Sequence, residues 1–204
     1  METIDCIQGT ESWIDIRLGK ATASKFGAVL AGGEGKTRTK YMKELLLEID
    51  EQTPAPSYRD KNMEAGTEKE PLAREYYEEL NGVVVEQVGF IKFNEWVGGS
   101  PDGLVGDDGI IEIKCPLATT HYDYYNGIQK LPKAYIDQMQ GLLWITDRKW
   151  CDFISFRPES KNRPYWSTKI ERDEGYIQKI AVAVNDFVIE LEELVKKLIN
   201  CPFE

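Results

Sequence analysis

Apolar residues recur along the chain with two distinct periods. Ile177, Ile180, Ala181, Val184, Phe187, Val188, Leu191, Leu194, Val195 and Leu198 fall three or four apart, which predicts a long helix packed by one face onto a core. The same spacing predicts helices over 41–49 and about 133–145. Thr10-Glu11-Ser12-Trp13 reads as a cap opening a first helix, with Arg17 in its last turn and Gly19 near its end. Thr22-Ala23-Ser24 offers hydroxyl caps to a second short helix through Phe26, Val29 and Leu30, which Ala31-Gly32-Gly33-Glu34-Gly35 breaks. Thr67-Glu68-Lys69-Glu70-Pro71 places acids and a proline where a first turn favours them. A helix is therefore expected from there to Asn81-Gly82, with Glu70 near its start.

Branched and aromatic residues concentrate elsewhere. Val83–Phe93 reads as one or two strands, Ile110–Lys114 as a short one, and 150–156 and 165–170 as two more. Gly106-Asp107-Asp108-Gly109 has the chemistry of a hairpin turn. Helices and strands interleave, so the expectation is a mixed α/β fold forming a single domain over 1–204.

Charge sharpens the picture. The chain has 204 residues, 25 Lys and Arg against 35 Asp and Glu, and a net charge of -10, which argues against a surface that coats nucleic acid or membrane as a whole. Arg17 to Lys43 nevertheless holds seven bases and one acid, a local +6 that leaves -16 for the remainder. Cys6, Cys115, Cys151 and Cys201 lie far apart without a Cys-x-x-Cys pair, which favours reduced thiols over a zinc or iron–sulfur site. No stretch reaches the ~18 apolar residues of a membrane span, and no basic-then-apolar leader opens the chain. A soluble, cytoplasmic protein with no membrane partner is expected.

The candidate chemistry lies around Ile110–Lys114. In an alternating strand Glu112 and Lys114 project to one side and Ile111 and Ile113 to the other. The preceding hairpin returns Asp102 alongside, and any register whose paired numbers sum to an even value puts Asp102 on that same face. Two carboxylates and an ammonium then converge, a hard-oxygen set suited to Mg²⁺ or Mn²⁺, to which Glu70 adds a further oxygen. The competing reading is plainer: Asp102-Gly103 as a mere turn, and Glu112 with Lys114 as the solvated face of an edge strand. His121, the sole histidine, cannot form a multi-His site, so a surface or packing role is expected of it; its neighbouring tyrosines are expected to pack in the core, with stacking on DNA bases as the alternative.

Pro101-Asp102 followed by Glu112-Ile113-Lys114 resembles the motif of the PD-(D/E)xK nucleases. Gly9–Trp13 through Arg17-Leu18-Gly19, Thr22-Ala23-Ser24, Ser100–Leu104, Glu112–Pro116 and Tyr135–Gln140 resemble, in order, the phage lambda exonuclease and YqaJ-type viral recombinase family. The resemblance implies a PD-(D/E)xK core, a mixed central sheet flanked by helices. It also implies a phage- or prophage-encoded exonuclease that degrades double-stranded DNA 5′ to 3′ in the bacterial cytoplasm. Such an enzyme uses two Mg²⁺ ions, with Mn²⁺ as substitute, and leaves 3′ single-stranded tails for a single-strand annealing protein. A homotrimeric ring is implied as well.

By the same resemblance Asp102, Glu112, the Ile113 carbonyl and Glu70 match metal ligands, Lys114 the motif lysine and Gln138 the glutamine beside the active site. Arg17, Ser24 and Ser100 match a pocket for a terminal 5′ phosphate. Arg17 brings a planar donor fork, and Ser24 at a helix start brings a hydroxyl and a favourable dipole. Lys114 is read as an electrostatic stabiliser, although carboxylates raise and cations lower a lysine's pKa, so a base remains the alternative. Two other functions stay open: a PD-(D/E)xK endonuclease using the same metal site, and a non-catalytic DNA-end-binding recombination adaptor.

Overall fold

The computed structural model describes residues 2–31, 36–56, 61–127 and 130–200, with the backbone alone over 61–67. The glycines at 32–35 and Cys201 lie outside the described residues. In chain order the elements are β1 (Glu2–Ile4), α1 (Glu11–Arg17), β2 (Ala21–Thr22), a 3₁₀ turn (Ala23–Lys25) running into α2 (Phe26–Val29), α3 (Lys36–Glu51), α4 (Lys61–Asn81), β3 (Val85–Glu86), β4 (Phe90–Lys92) and β5 (Val97–Gly99). There follow β6 (Gly103–Val105), β7 (Gly109–Lys114), α5 (Ala118–Tyr125), α6 (Lys133–Thr146), β8 (Trp150–Phe156), β9 (Tyr165–Glu171) and α7 (Glu174–Asn200). None of the described helices is long and apolar enough to cross a membrane.

Strand β7 is the middle of a five-stranded sheet ordered β3-β6-β7-β8-β9, and it pairs antiparallel with β6 and parallel with β8. A solvated edge strand is thereby excluded for Glu112 and Lys114. Alternation sorts the strand's side chains between two cores. Ile111 and Ile113 join Ile154, Phe156 and the α4 residues Ala73 and Tyr77 on one face. Ile110 joins Cys151, Phe153 and the α6 and α7 residues Met139, Leu142, Leu143, Ile180 and Phe187 on the other. The α7 stripe is buried as its period predicts, at Ile177, Ile180, Val184, Phe187, Val188, Leu191 and Val195.

The segment 83–93 splits between two sheets. β3 pairs with β6, whereas β4 belongs to a second sheet ordered β1-β4-β5-β2. Gly89 stands at the division, because a Cβ there would lie 2.2 Å from the Cys6 carbonyl oxygen. Three expectations change. α4 begins at Lys61, so Pro71 is interior rather than in the first turn, where it removes one backbone hydrogen bond of the helix. Thr10 occupies the N-cap position of α1, but its hydroxyl turns back to the Ile7 carbonyl at 2.6 Å instead of capping the helix. Ser24 lies in the 3₁₀ turn before a four-residue helix, so the helix dipole expected beside it is small.

Asp102-Gly103 is not a turn but the entry to β6, and the turn is Gly106-Asp107-Asp108, where Gly106 has φ of 52°. Gly103 is required by close packing: a Cβ would lie 2.1 Å from Val85 Cγ1 and 3.3 Å from Ile111 Cδ1. Gly103→Ala should therefore cost about 2 kcal/mol by overpacking and lower the melting temperature by roughly 5 °C. Thermal unfolding followed by circular dichroism checks this, and an unchanged midpoint would contradict the packing.

Candidate active site

The β6–β7 register pairs Gly103 with Ile111 and Leu104 with Ile110. Those numbers sum to an even value, so continuing the pairing brings Asp102 opposite Glu112, on the face Glu112 shares with Lys114. Asp102 is held there by its neighbours. The Ile113 N–H donates to Asp102 Oδ2 at 2.6 Å, the Asp102 N–H donates to the Ile111 carbonyl at 3.2 Å, and Arg74 Nε donates to the Asp102 carbonyl at 3.2 Å. Arg74 lies one helical turn beyond Glu70 on α4, so the contact that clamps Asp102 also swings Glu70 toward it.

Glu112 is only 1% exposed, and its two oxygens are treated differently. Oε1 accepts from Lys114 Nζ and, at 2.8 Å, from Gln138 Nε2 on α6. Oε2 is buried with no hydrogen-bond partner. Gln140 takes no part, since its amide donates to the Glu171 carbonyl and accepts the Asp173 N–H. Burial raises the Glu112 pKa, helped by Asp102 and Glu70 and opposed by Lys114. Burial raises Asp102 as well, against Lys114, the Ile113 N–H and Arg74. Glu70 is pushed up to about 7 by burial and then by Asp102. For Lys114 burial acts downward, but Glu112 and Asp102 outweigh it and keep the ammonium above its ordinary pKa.

An orphaned buried carboxylate oxygen and three acids pushed upward describe a site short of positive charge, which one lysine does not supply. That is the fit expected of a hard divalent cation. Among the described residues no group of three or more His, Cys, Asp or Glu has metal-holding geometry. The carboxylates that meet in the cavity are Asp102, Glu112 and Glu70. Magnesium is commonly held by one or two carboxylates with water and substrate phosphate filling the rest.

Asp102, Glu112, Lys114, Gln138 and Glu70 line a single cavity of about 160 Å³, and Arg17, Ser24 and Ser100 line it too. The Ile113 side chain is turned away into the opposite core. Residues that the sequence did not place in the site complete the walls, notably Gln8, Trp13 and Thr22. Trp13 lies under the Arg17 guanidinium, 4.0 Å from ring centroid to Cζ, and its indole N–H reaches Ser100 Oγ at 3.0 Å. Its place in the Gly9–Trp13 block was the only available signal. Gln8 Nε2 ties the Val88 and Pro101 carbonyls together at 3.0 Å each.

Arg17 has no salt bridge among the described residues, and burial pulls its pKa down. A half-buried guanidinium without an acid is an open position for an anion. Ser100 is committed differently: its hydroxyl donates to the Gly89 carbonyl at 2.7 Å. Much of the +6 segment is neutralised by tertiary contacts, as Arg38 pairs with Glu190 at 2.7 Å and Lys25 and Lys40 flank Glu44. His121 is buried, hydrogen-bonded to Ser155 Oγ and the Arg163 carbonyl at 2.8 Å each, a packing role, and Tyr124 is buried beside it, whereas Tyr122 and Tyr125 are exposed, against the packing expected of them.

The raised acids set a pH dependence. Glu70 and Glu112 bind more protons folded than unfolded, so their stabilising contribution is complete below the unfolded glutamate pKa of ~4.3 and is lost as pH rises through about 7. Without divalent ions the melting temperature should fall between pH 5 and 8 by at least ~3 °C. Added Mg²⁺ should raise it more at pH 8 than at pH 5, and Glu112→Gln should weaken both effects. An equal Mg²⁺ increment at the two pH values would contradict the charge deficit.

Residues 12–149 match the YqaJ-like viral recombinase domain family. No curated protein matches the chain. Among solved structures, the alkaline exonuclease LHK-Exo of Laribacter hongkongensis is 40% identical, with a TM-score of 0.85 over 93% of this chain and 96% of that one, both alone and in complex with dAMP. A phage-related exonuclease of Haemophilus somnus, 21% identical, shares the fold with a TM-score of 0.72 over 88% of this chain and 96% of that one. With the family matched across most of its length and the fold shared with an alkaline exonuclease, the chain belongs to the YqaJ-like viral recombinase domain family.

Proposed function

We propose that the protein is a Mg²⁺-dependent exonuclease that degrades double-stranded DNA from 5′ ends and leaves 3′ single-stranded tails for phage-type recombination. A DNA-cleaving hydrolase is what the family and the 40% identity to an alkaline exonuclease support. The observation that carries the finer reading is the shared cavity: Arg17 and the Asp102, Glu112 and Lys114 set line the same cleft. About 160 Å³ holds on the order of five waters, room for a terminal phosphodiester unit beside the Arg17 guanidinium. That favours processing from an end over endonuclease cleavage.

Each side chain has a role that its surroundings support. Arg17, held flat by Trp13, presents its fork to a terminal 5′ phosphate, and Ser24 adds an exposed hydroxyl. Ser100 joins them on this reading when its hydroxyl turns from the Gly89 carbonyl toward the phosphate. Asp102, Glu112 and the Ile113 carbonyl are the proposed cation ligands, with Glu70 toward a second ion. Bound Mg²⁺, or Mn²⁺ in its place, supplies acidification of a water and charge stabilisation at the phosphate. Gln138 and Lys114 hold Glu112 Oε1, which leaves Oε2 to face the cation. Lys114, kept protonated by its two carboxylates, serves as an electrostatic stabiliser of the charge that develops on the phosphate. A single-strand annealing protein as partner, a homotrimeric ring enclosing DNA and action in the bacterial cytoplasm belong to the same proposal and rest on family membership.

Linear duplexes labelled at each 5′ or 3′ end, with a closed circle as control, test polarity. Early release of 5′ label in Mg²⁺ and a resistant circle are expected, and Asp102→Ala or Lys114→Ala, checked for folding, should lower release at least a hundredfold. Nicking of the circle would establish an endonuclease instead, and unchanged release by the variants would remove the active-site assignment. A 5′-phosphorylated duplex should be digested faster than its 5′-hydroxyl counterpart, with Arg17→Ala lowering that preference about tenfold. Equal preference in both proteins would remove the phosphate pocket.

A further inference from the structure

A second cavity, of about 250 Å³, lies outside the site described so far. Its walls include Tyr122 and Tyr125 of α5 and Arg157, Ser160 and Arg163 of the β8–β9 connection. Both tyrosines are exposed, Tyr122 at 58% and Tyr125 at 38%, whereas the intervening Tyr124 is buried against Phe153 and Trp166. The Arg163 guanidinium stands 4.2 Å from the Tyr125 ring centroid and has no salt bridge among the described residues. Arg157 is weakly engaged: its nearest acid, Glu159, is 4.0 Å away and sits closer to Lys69, while one guanidinium nitrogen reaches the Pro116 carbonyl at 3.4 Å.

The cavity has a fixed floor. A carbonyl only accepts, so His121 Nε2 carries the proton donated to the Arg163 carbonyl, while Nδ1 meets Ser155 Oγ. His121 thereby pins the Arg163 backbone to α5. Ser155 is also the β8 partner of Lys114 in the parallel register. Adjacent strands lie ~4.8 Å apart, so the Ser155 that His121 meets sits one strand away from the position that carries Lys114.

Two guanidinium groups beside two exposed tyrosine faces, on a body of net charge -10, match one kind of ligand. Phosphodiesters pair with the arginines, and aromatic faces stack on bases. A duplex offers its phosphates but keeps its bases stacked inside, so only an unpaired strand uses both features. Resting on the exonuclease reading above, we propose that the Tyr122, Tyr125, Arg157 and Arg163 cavity binds the single strand left unpaired when its complement is degraded at Asp102, Glu112 and Lys114. It guides that 3′-ended strand away from the catalytic cavity.

The test separates this proposal from the nuclease reading. Anisotropy of a fluorescent 12-nucleotide oligothymidylate with a 5′ hydroxyl, measured on the full chain in Ca²⁺, reads strand binding. Hydrolysis of a small chromogenic phosphodiester in Mg²⁺ reads the catalytic centre. Tyr122→Ala and Arg163→Ala, both at exposed positions, should weaken oligothymidylate binding at least fivefold each and leave chromogenic turnover unchanged. Tyr122→Phe, which keeps the stacking face, should bind like the parent chain. Arg163→Ala should also reduce the salt slope by about 0.7, the loss of one single-strand phosphate contact. Unchanged affinity in both alanine variants overturns the proposal, as does an equal loss for a blunt 5′-hydroxyl duplex, which would mark a general phosphate surface. Loss of chromogenic turnover in the Asp102→Ala chain tests the nuclease reading alone.

Discussion

Glu112 is a carboxylate in the middle of the central sheet, on a strand whose other residues are almost all buried and apolar. Such a charge is costly unless paired and hydrogen-bonded. Here one oxygen is satisfied by Lys114 and Gln138 and the other is left with nothing. The deficit organises what surrounds it. Lys114 is drawn onto Glu112 from the same strand face, α6 supplies an amide from Gln138, and the Ile113 N–H, lying in the plane of the sheet, is spent on Asp102. Stability lost at this point is recovered in the two apolar layers on either side of the sheet, where Ile110 and Ile111 face opposite cores. The site is thus strained electrostatically and rigid mechanically.

The opposite end of the cavity works by the reverse logic. Arg17 makes no ion pair among the described residues and is kept in place by the Trp13 face. An aromatic support leaves all its donors available, which a carboxylate partner would not. The unsatisfied carboxylate of Glu112 and the guanidinium of Arg17 line one small cavity, with opposite charges at its two ends. The same contrast recurs elsewhere on the acidic body: Arg38 is claimed by Glu190, whereas Arg163 rests on the Tyr125 ring with no ion pair among the described residues.

Local periodicity determined a good deal of this protein from sequence alone. The α7 stripe, the α6 helix, β7, β8 and β9 and the hairpin between β6 and β7 follow from periods of 3.6 and 2 and from a Gly-rich turn. Asp102, Glu112 and Lys114 could be placed on one face without any structure, since every even-sum register gives the same answer. β1, β2 and β5 could not be seen, because two or three residues are too few to display alternation, and α5 offered no cap or stripe. Acids around Pro71 look the same at a helix start as inside α4, so composition misplaced that boundary.

Tertiary structure decided what those elements do to one another. That β7 is central rather than an edge, that Glu112 Oε2 is orphaned, that Gln138 and not Gln140 reaches the carboxylate, and that Arg17 lacks an acid while Arg38 has one are all consequences of which distant segments pack together. The physical reason is range. Backbone geometry sets side-chain direction within a few residues and is written into the local sequence, whereas burial and charge balance depend on partners up to about 150 positions away, as with Arg38 and Glu190.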